Sequence, residues 1–227
     1  MKKNIFAAFF LLAFSFVSLQ DAVAQGGKGS LETRVEMTTT EGKMVFLLYN
    51  DTPLHRDNFL KLVKQHTYDS LLFHRVIKNF MIQAGDPNSR NAKPGQMLGD
   101  GTLGYTVPAE FRPNHIHVKG ALCAARQGDN INPRKESSAS QFYIVQGQVW
   151  SEQQLGMMEQ RFGKKYTEEQ RKAYTTVGGT PHLDGDYTVF GQLIEGMDVL
   201  ERIAATPTGA ADRPKTDVRI LSVRVVN

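Results

Sequence analysis

The sequence predicts one mainly antiparallel β domain with two helices and one inserted helical segment. Three observations carry that expectation. Short apolar, β-prone runs recur between turn residues from Arg34 to Val226. Two stretches, opening at Pro53 and Gly196, place apolar residues at helical spacing. Residues 151–176 switch to a composition rich in Glu, Gln, Lys and Arg. No repeat period and no second independent core emerge.

The elements follow in order. Arg34 to Thr38 and Met44 to Tyr49 are β-compatible and flank the turn residues Thr40-Glu41-Gly42-Lys43, which predicts a hairpin. Thr52 precedes Pro53 as a capping hydroxyl before a proline suited to the first helical position, and Leu54, Phe59, Leu62 and Val63 form the apolar stripe of a helix ending near Gln65. Leu71 to Gly85 is β-like, and Asp86 to Gly104 is a Pro- and Gly-rich loop. Further strands are expected at Ala121 to Ala125, Gln141 to Val145, Thr188 to Leu193 and Val218 to Val226. A second core helix, from Gly196 to Ala205, carries Met197, Leu200, Ile203 and Ala204. Between them, Ser151 to Thr176 predicts two short surface helices, the second opened by the capping box Thr167-Glu168-Glu169-Gln170.

The N-terminus reads as a targeting signal. Lys2 and Lys3 precede an uncharged, mostly apolar run from Ile5 to Leu19, and Ala22-Val23-Ala24 supplies small residues for cleavage. The run is shorter than the roughly 20 residues a spanning helix needs. Residues 1–24 are therefore expected to be a signal peptide, residues 25–32 a flexible lead-in, and residues 33–227 the folded domain. Export follows, to the periplasm of a diderm bacterium or to the medium, with no stable membrane insertion after cleavage.

Composition and isolated motifs exclude more than they suggest. The formal charge of +4 is scattered along the chain, which gives little support for nucleic-acid binding. Cys123, the single cysteine, sits in the apolar run Ala121 to Ala125 and reads as a small buried hydrophobe. Gly99-Asp100-Gly101-Thr102-Leu103-Gly104 matches a dinucleotide fingerprint by letters, but Pro94-Gly95 precedes it and Pro108 follows where a strand and a helix are required; it reads as a loop. His115 and His117 have no cysteine or carboxylate cluster to complete a metal site, and read as surface or locally bonded histidines. No Gly-x-Ser-x-Gly elbow or His-Glu-x-x-His helix occurs. No metal or cofactor is expected.

The most informative stretch runs from Phe73 to Asp86, FHRVIKNFMIQAGD, where one cation lies among large apolar residues. Strand alternation puts Phe73, Arg75 and Ile77 on one face and, beyond the Lys78-Asn79 bend, Met81 and Gln83 together. From this segment alone two readings stand level. Arg75 is either the strong donor of an apolar cup or the partner of a carboxylate, with its stem packed on Phe.

This segment resembles the signature of the cyclophilin family of peptidyl-prolyl cis-trans isomerases. The similarity continues through Ser140-Gln141-Phe142-Tyr143-Ile144, Pro181-His182-Leu183-Asp184-Gly185, Val189-Phe190-Gly191 and Glu195-Gly196-Met197, and covers about residues 33–227 apart from the insertion. The resemblance implies a closed eight-stranded antiparallel β-barrel capped by two α-helices, with an active groove on its outer face. It assigns Arg75 and Gln83 to catalysis. Phe80, Met81 and Leu183 become walls of a proline pocket, Gln141 a polar group that orients substrate and arginine, and Ala125 a groove residue. Four groove positions depart from the best-known members: Tyr143 replaces Phe, His182 replaces Trp, Tyr187 replaces His, and Arg126 replaces Asn. The resemblance implies a cofactor-free isomerase, acting as a monomer on proline-containing polypeptides during the folding of exported proteins. A proline-binding module with little turnover and an interaction protein working through residues 151–176 are the competing readings.

Overall fold

The computed structural model describes residues 33–226. The expected signal segment and lead-in, residues 1–32, lie outside the described residues. Strands β1 (Thr33–Thr39) and β2 (Gly42–Leu48) form the expected hairpin, and their pleat buries Val35, Met37, Met44, Phe46 and Leu48. After helix α1 (Pro53–Lys64) come β3 (Arg75–Ile77), β4 (Met81–Ala84), β5 (Thr106–Val107), β6 (Ala121–Ala124), β7 (Ser137–Ser138) and β8 (Phe142–Val145). The insertion supplies α2 (Glu152–Phe162) and α3 (Glu168–Thr176), and the chain ends with β9 (Val189–Glu195), α4 (Met197–Ala204) and β10 (Ile220–Val226).

Eight strands make one curled antiparallel sheet in the order β10-β1-β2-β9-β6-β8-β4-β3, while β5 and β7 pair apart from it. The sheet is a half-barrel, which corrects the expected closed barrel. Its edge strands β3 and β10 do not pair with each other. Instead the residues just before β3 meet the start of β10 and the residues leading into it, through the Leu72–Arg219 bridge and the bonds Ser70 N–H to Ile220 O (2.8 Å) and Phe73 N–H to Val218 O (2.9 Å). β3 is only three residues long because the chain turns at Asn79, which adopts φ +61°.

Helix α1 starts as the sequence predicts but is capped differently. The Thr52 hydroxyl donates to Tyr49 O, and Glu110 receives the N–H groups of Leu54 (3.1 Å) and His55 (2.9 Å). Glu110 also meets His55 Nδ1 at 2.7 Å, and His55 Nε2 lies 2.9 Å from Ser137 Oγ. This buried network draws His55 inward and turns Leu54 out, so the buried stripe is His55, Phe59, Leu62 and Val63; Leu54 is 50% exposed. Phe59 then packs edge-on against Phe142 (5.7 Å, 86°) in the main core.

Helix α4 opens at Gly196, whose φ of +90° places it where a Cβ would lie 2.3 Å from Lys43 O. The helix buries Val199, Leu200, Ile203 and Ala204 and packs on β2, β3 and β4.

The insertion is more than a surface pair. Both helices begin with capping boxes, Ser151 with Gln154 and Thr167 with Gln170. Leu155, Tyr166 and Tyr174 form a small buried core with Ile116, Val118 and Trp150. The insertion is thus anchored to the parent domain by one shared apolar cluster. No helix among the described residues is long and apolar enough to cross a membrane.

Candidate active site

Strand alternation gives the curled sheet two apolar faces. Ile82, Ala84, Leu122, Ala124, Phe142 and Ile144 join the main core. Their alternate neighbours Met81, Ala121, Cys123, Tyr143 and Val145 form a second cluster on the outer face. Register fixes a row across that face: Arg75 opposite Gln83, Gln83 opposite Tyr143, Tyr143 opposite Cys123. The sheet thus builds the site from residues far apart in sequence. Phe73 does not belong to this face; β3 begins only at Arg75, and the Phe73 ring enters the main core.

A cavity of about 170 Å³ opens over this row. Arg75, Phe80, Met81, Gln83, Ala125, Arg126, Tyr143, Leu183 and Tyr187 line it. Nine of the eleven expected site residues therefore converge on one space. The remaining two lie beside it. Gln141 accepts from Gln83 Nε2 at 3.1 Å and donates to Gly99 O and Gly101 O, both at 2.9 Å. It pins the glycine-rich loop along a neighbouring 730 Å³ groove that shares Gln83, Ala125 and Arg126 with the cavity. His182 backs the wall, stacked on Phe80 at 5.8 Å and 22°.

The structure gives Arg75 both a place in the cavity lining and a carboxylate partner. It lines the cavity, and its Nε donates to Asp212 Oδ2 at 3.3 Å, with 42% of its side chain exposed. Gln83 bonds to Gln141, and its contribution to Arg75 is that of a cross-strand neighbour. Phe80 is set by the tight turn at Asn79. Asn79 N–H donates to Gln146 Oε1 (2.6 Å), and Phe80 O receives the N–H groups of Gln146 and Gly147, both at 3.0 Å.

Of the four departures from the family pattern, Arg126, Tyr143 and Tyr187 line the cavity itself, and His182 stands behind Phe80. Arg126 is committed by its Nε to Asp186 O (2.7 Å) and by Nη1 to Asp129 (2.6 Å), with its guanidinium 4.5 Å from the centre of the Tyr187 ring. Tyr187 meets Tyr143 edge-on at 5.9 Å. The Tyr143 hydroxyl, at the floor, lies 2.9 Å from His117 Nε2, and His117 Nδ1 is 2.8 Å from Asp184 Oδ1. Asp184 Oδ2 accepts from Tyr174 of the insertion at 2.5 Å. Of the two expected states, surface or locally bonded, His117 takes neither in full: it is fully buried and hydrogen-bonded, with partners distant in sequence. His115 is stacked on Tyr49 at 3.8 Å and bonded to Asp51.

Burial holds the Tyr143 phenol and the Cys123 thiol well above their ordinary pKa values, so neither is a nucleophile at neutral pH. Burial likewise pulls His182 below the usual histidine range. No group of three or more His, Cys, Asp or Glu side chains able to hold a metal exists among the described residues.

The sequence reasoning missed Asp212, Gln146 and Lys164. Lys164 Nζ donates to His182 O (2.7 Å), Asp184 O (2.5 Å) and Asp186 Oδ2 (2.6 Å), tying the insertion to the loop that carries His182, Leu183 and Tyr187. Nothing in its local sequence marks that contact.

Comparison with known proteins places this geometry. A family model described as cyclophilin type peptidyl-prolyl cis-trans isomerase/CLD matches residues 34–225. A Staphylococcus haemolyticus protein named "Putative peptidyl-prolyl cis-trans isomerase" is 41% identical over 195 residues, 86% of this chain and 91% of the relative. A Staphylococcus aureus (strain USA300) protein of the same name is 38% identical over 212 residues, 93% and 98% of the two chains. Among solved structures, a Cryptosporidium parvum cyclophilin type peptidyl-prolyl cis-trans isomerase superimposes with a TM-score of 0.62 at 23% identity, over 86% of this chain and 98% of its own. The same protein crystallised in the presence of the dipeptide Ala-Pro gives a TM-score of 0.60, over 86% and 99%.

Proposed function

Because the chain belongs to the cyclophilin-type peptidyl-prolyl cis-trans isomerase family, we propose that its groove accelerates X-Pro rotation by Arg75-assisted stabilisation of the twisted amide. Convergence of Arg75, Gln83, Phe80, Met81, Tyr143 and Leu183 on one cavity carries this reading. Amide resonance opposes rotation with a barrier of about 18–20 kcal/mol, and no bond needs to be made or broken. In the twisted state the proline nitrogen regains its lone pair and becomes a stronger acceptor. A fixed guanidinium therefore favours that state over either planar ground state. Arg75 Nε is held by Asp212, so the Nη groups are the donors the groove can use. A charge-assisted bond that strengthens in the transition state is worth about 3 kcal/mol, about a hundredfold in rate. Phe80, Met81, Tyr143 and Leu183 hold the ring while the preceding carbonyl turns, Gln83 presents its amide to the flanking backbone, and Gln141, committed to the glycine-rich loop, orients Gln83.

The substrates are proline-containing polypeptides, in line with the relative crystallised in the presence of Ala-Pro. Lys2, Lys3 and the apolar run before Ala24 support export, and hence a role in folding exported proteins. A proline-isomer assay on a short peptide tests the activity: acceleration above the thermal rate is expected, and tight peptide binding without acceleration would make the chain a proline-binding module. Mass spectrometry of the exported protein tests the signal, with an N-terminus at or near Gln25 expected and an intact Met1 in a membrane fraction counting against it.

A further inference from the structure

The aromatic wall of the cavity does not stop at Phe80. His182 stacks on Phe80 at 5.8 Å, and Phe162, the last residue of α2, stacks in turn on His182 at 6.1 Å and 30°. Phe162 is 45% exposed, and the Arg161 guanidinium lies 5.4 Å from its ring centre. Gly163 ends the helix in the left-handed region (φ +64°), and Lys164, just beyond it, grips the carbonyls of His182 and Asp184. One helix end thus presents a large apolar ring and fixes the loop it packs against.

We propose that the insertion forms part of the substrate site, with Phe162 providing an apolar subsite beyond His182 that takes a large apolar side chain of the same polypeptide whose proline occupies the cavity. The inference rests on the isomerase reading. Continuity selects the occupant, since Phe80 both lines the proline cavity and opens the stack that ends at Phe162. The reach is set by chain geometry. The two ring spacings place Phe162 no more than about 12 Å from Phe80, which an extended chain covers in three to four residues at about 3.4 Å each. A single exposed aromatic is ordinary on a protein surface. One stacked in series with a substrate wall, on a helix end held by three lysine hydrogen bonds, is placed to be read by the chain passing over it.

The test uses the full protein and a series of peptides with a common Ala-Pro core, in which one Phe replaces Ala at the second to fourth position on either side of the proline. The wild type is expected to prefer Phe over Ala by fivefold or more in kcat/KM at one of those positions, with the gain in KM. In Phe162→Ala that ratio should fall below twofold, and Phe162→Leu, which keeps an apolar side chain, should retain part of it. Absence of a preference at every position, or a preference unchanged in Phe162→Ala, would overturn the proposal. If the wild type turns over none of the peptides, the isomerase reading fails instead. The same Phe-to-Ala ratio, measured as Kd by calorimetry on both proteins, then decides the subsite on its own.

Discussion

The Tyr143 hydroxyl lies 2.9 Å from His117 Nε2 beneath the groove floor. A phenol facing the cavity would wet the proline pocket; here the oxygen is bonded beneath the floor and the ring contributes apolar surface. A carboxylate only accepts, so Asp184 fixes the His117 Nδ1 proton and leaves Nε2 to face the phenol. Tyr143→Phe removes that partner and leaves a fully buried ring nitrogen unsatisfied. A loss of about 1–3 kcal/mol in denaturant-measured stability is expected, with kcat/KM within about threefold of wild type. Unchanged stability would show that the bond is not needed to settle His117.

Asp212 should act through Arg75. To reach it, Ala211 and Asp212 both adopt left-handed backbone, with φ of +55° and +58°, which costs of the order of 1 kcal/mol each for residues with a Cβ. The pair is half-exposed, and such pairs contribute at most about 1 kcal/mol. Asp212→Ala should therefore lower kcat/KM about three- to fivefold, mainly through kcat, and Asp212→Asn should restore most of it. A rise in kcat/KM in Asp212→Ala would mean that the carboxylate competes with the proline nitrogen for the guanidinium.

His74 supplies a pH dependence. The ring is buried next to Arg75, and neither nitrogen makes a hydrogen bond of good geometry among the described residues. Burial lowers its pKa from 6.5 to about 4, against the pull of Asp86 and with help from Arg75. The unfolded chain then binds the proton more readily, so this contribution to stability is complete above about pH 6.5 and declines as pH falls towards 4, by about 3 kcal/mol in all. His55 and His182 are shifted in the same direction, so the difference between wild type and His74→Phe isolates the effect. Denaturation midpoints from pH 7.5 to 5 should fall less steeply in the variant, and parallel curves would contradict the assignment.

His182 bears on inhibition. Cyclosporin is the groove ligand suggested by the family resemblance. An imidazole backing Phe80 offers less apolar surface than the indole of the best-known members and no indole N–H. Weak inhibition is expected, tightening in His182→Trp. Equal, tight inhibition of both proteins in a titration would remove this position from the account.

What the sequence made legible was what depends on neighbours in the chain. The hairpin at residues 33–48, the Thr167 capping box and the alternation that puts Met81 and Gln83 on one face are local patterns, and the structure has them. What it hid depends on partners far along the chain. Glu110 receives the first N–H groups of α1 from across 55 and 56 residues, so the cap at Thr52 and the inward place of Leu54 were misread. Asp212 reaches Arg75 across 137 residues, and Lys164 reaches a loop some twenty residues on from a helix pair whose composition reads as solvated surface. The groove residues were found because the family motif names them; alternation alone placed Phe73 on the wrong face.

The central claim is that Arg75 acts in the transition state, and kcat/KM and thermal stability of Arg75→Ala measured on one preparation test it most directly. The account predicts a loss of about a hundredfold in kcat/KM, with peptide Kd changed far less and Tm close to wild type, because the Asp212 pair is exposed and contributes little to stability. Arg75→Lys should also be impaired, since an ammonium lacks the planar fork that can serve Asp212 and substrate together. A variant with a lowered Tm and wild-type turnover of its folded fraction would contradict the account and leave Arg75 as a structural ion pair.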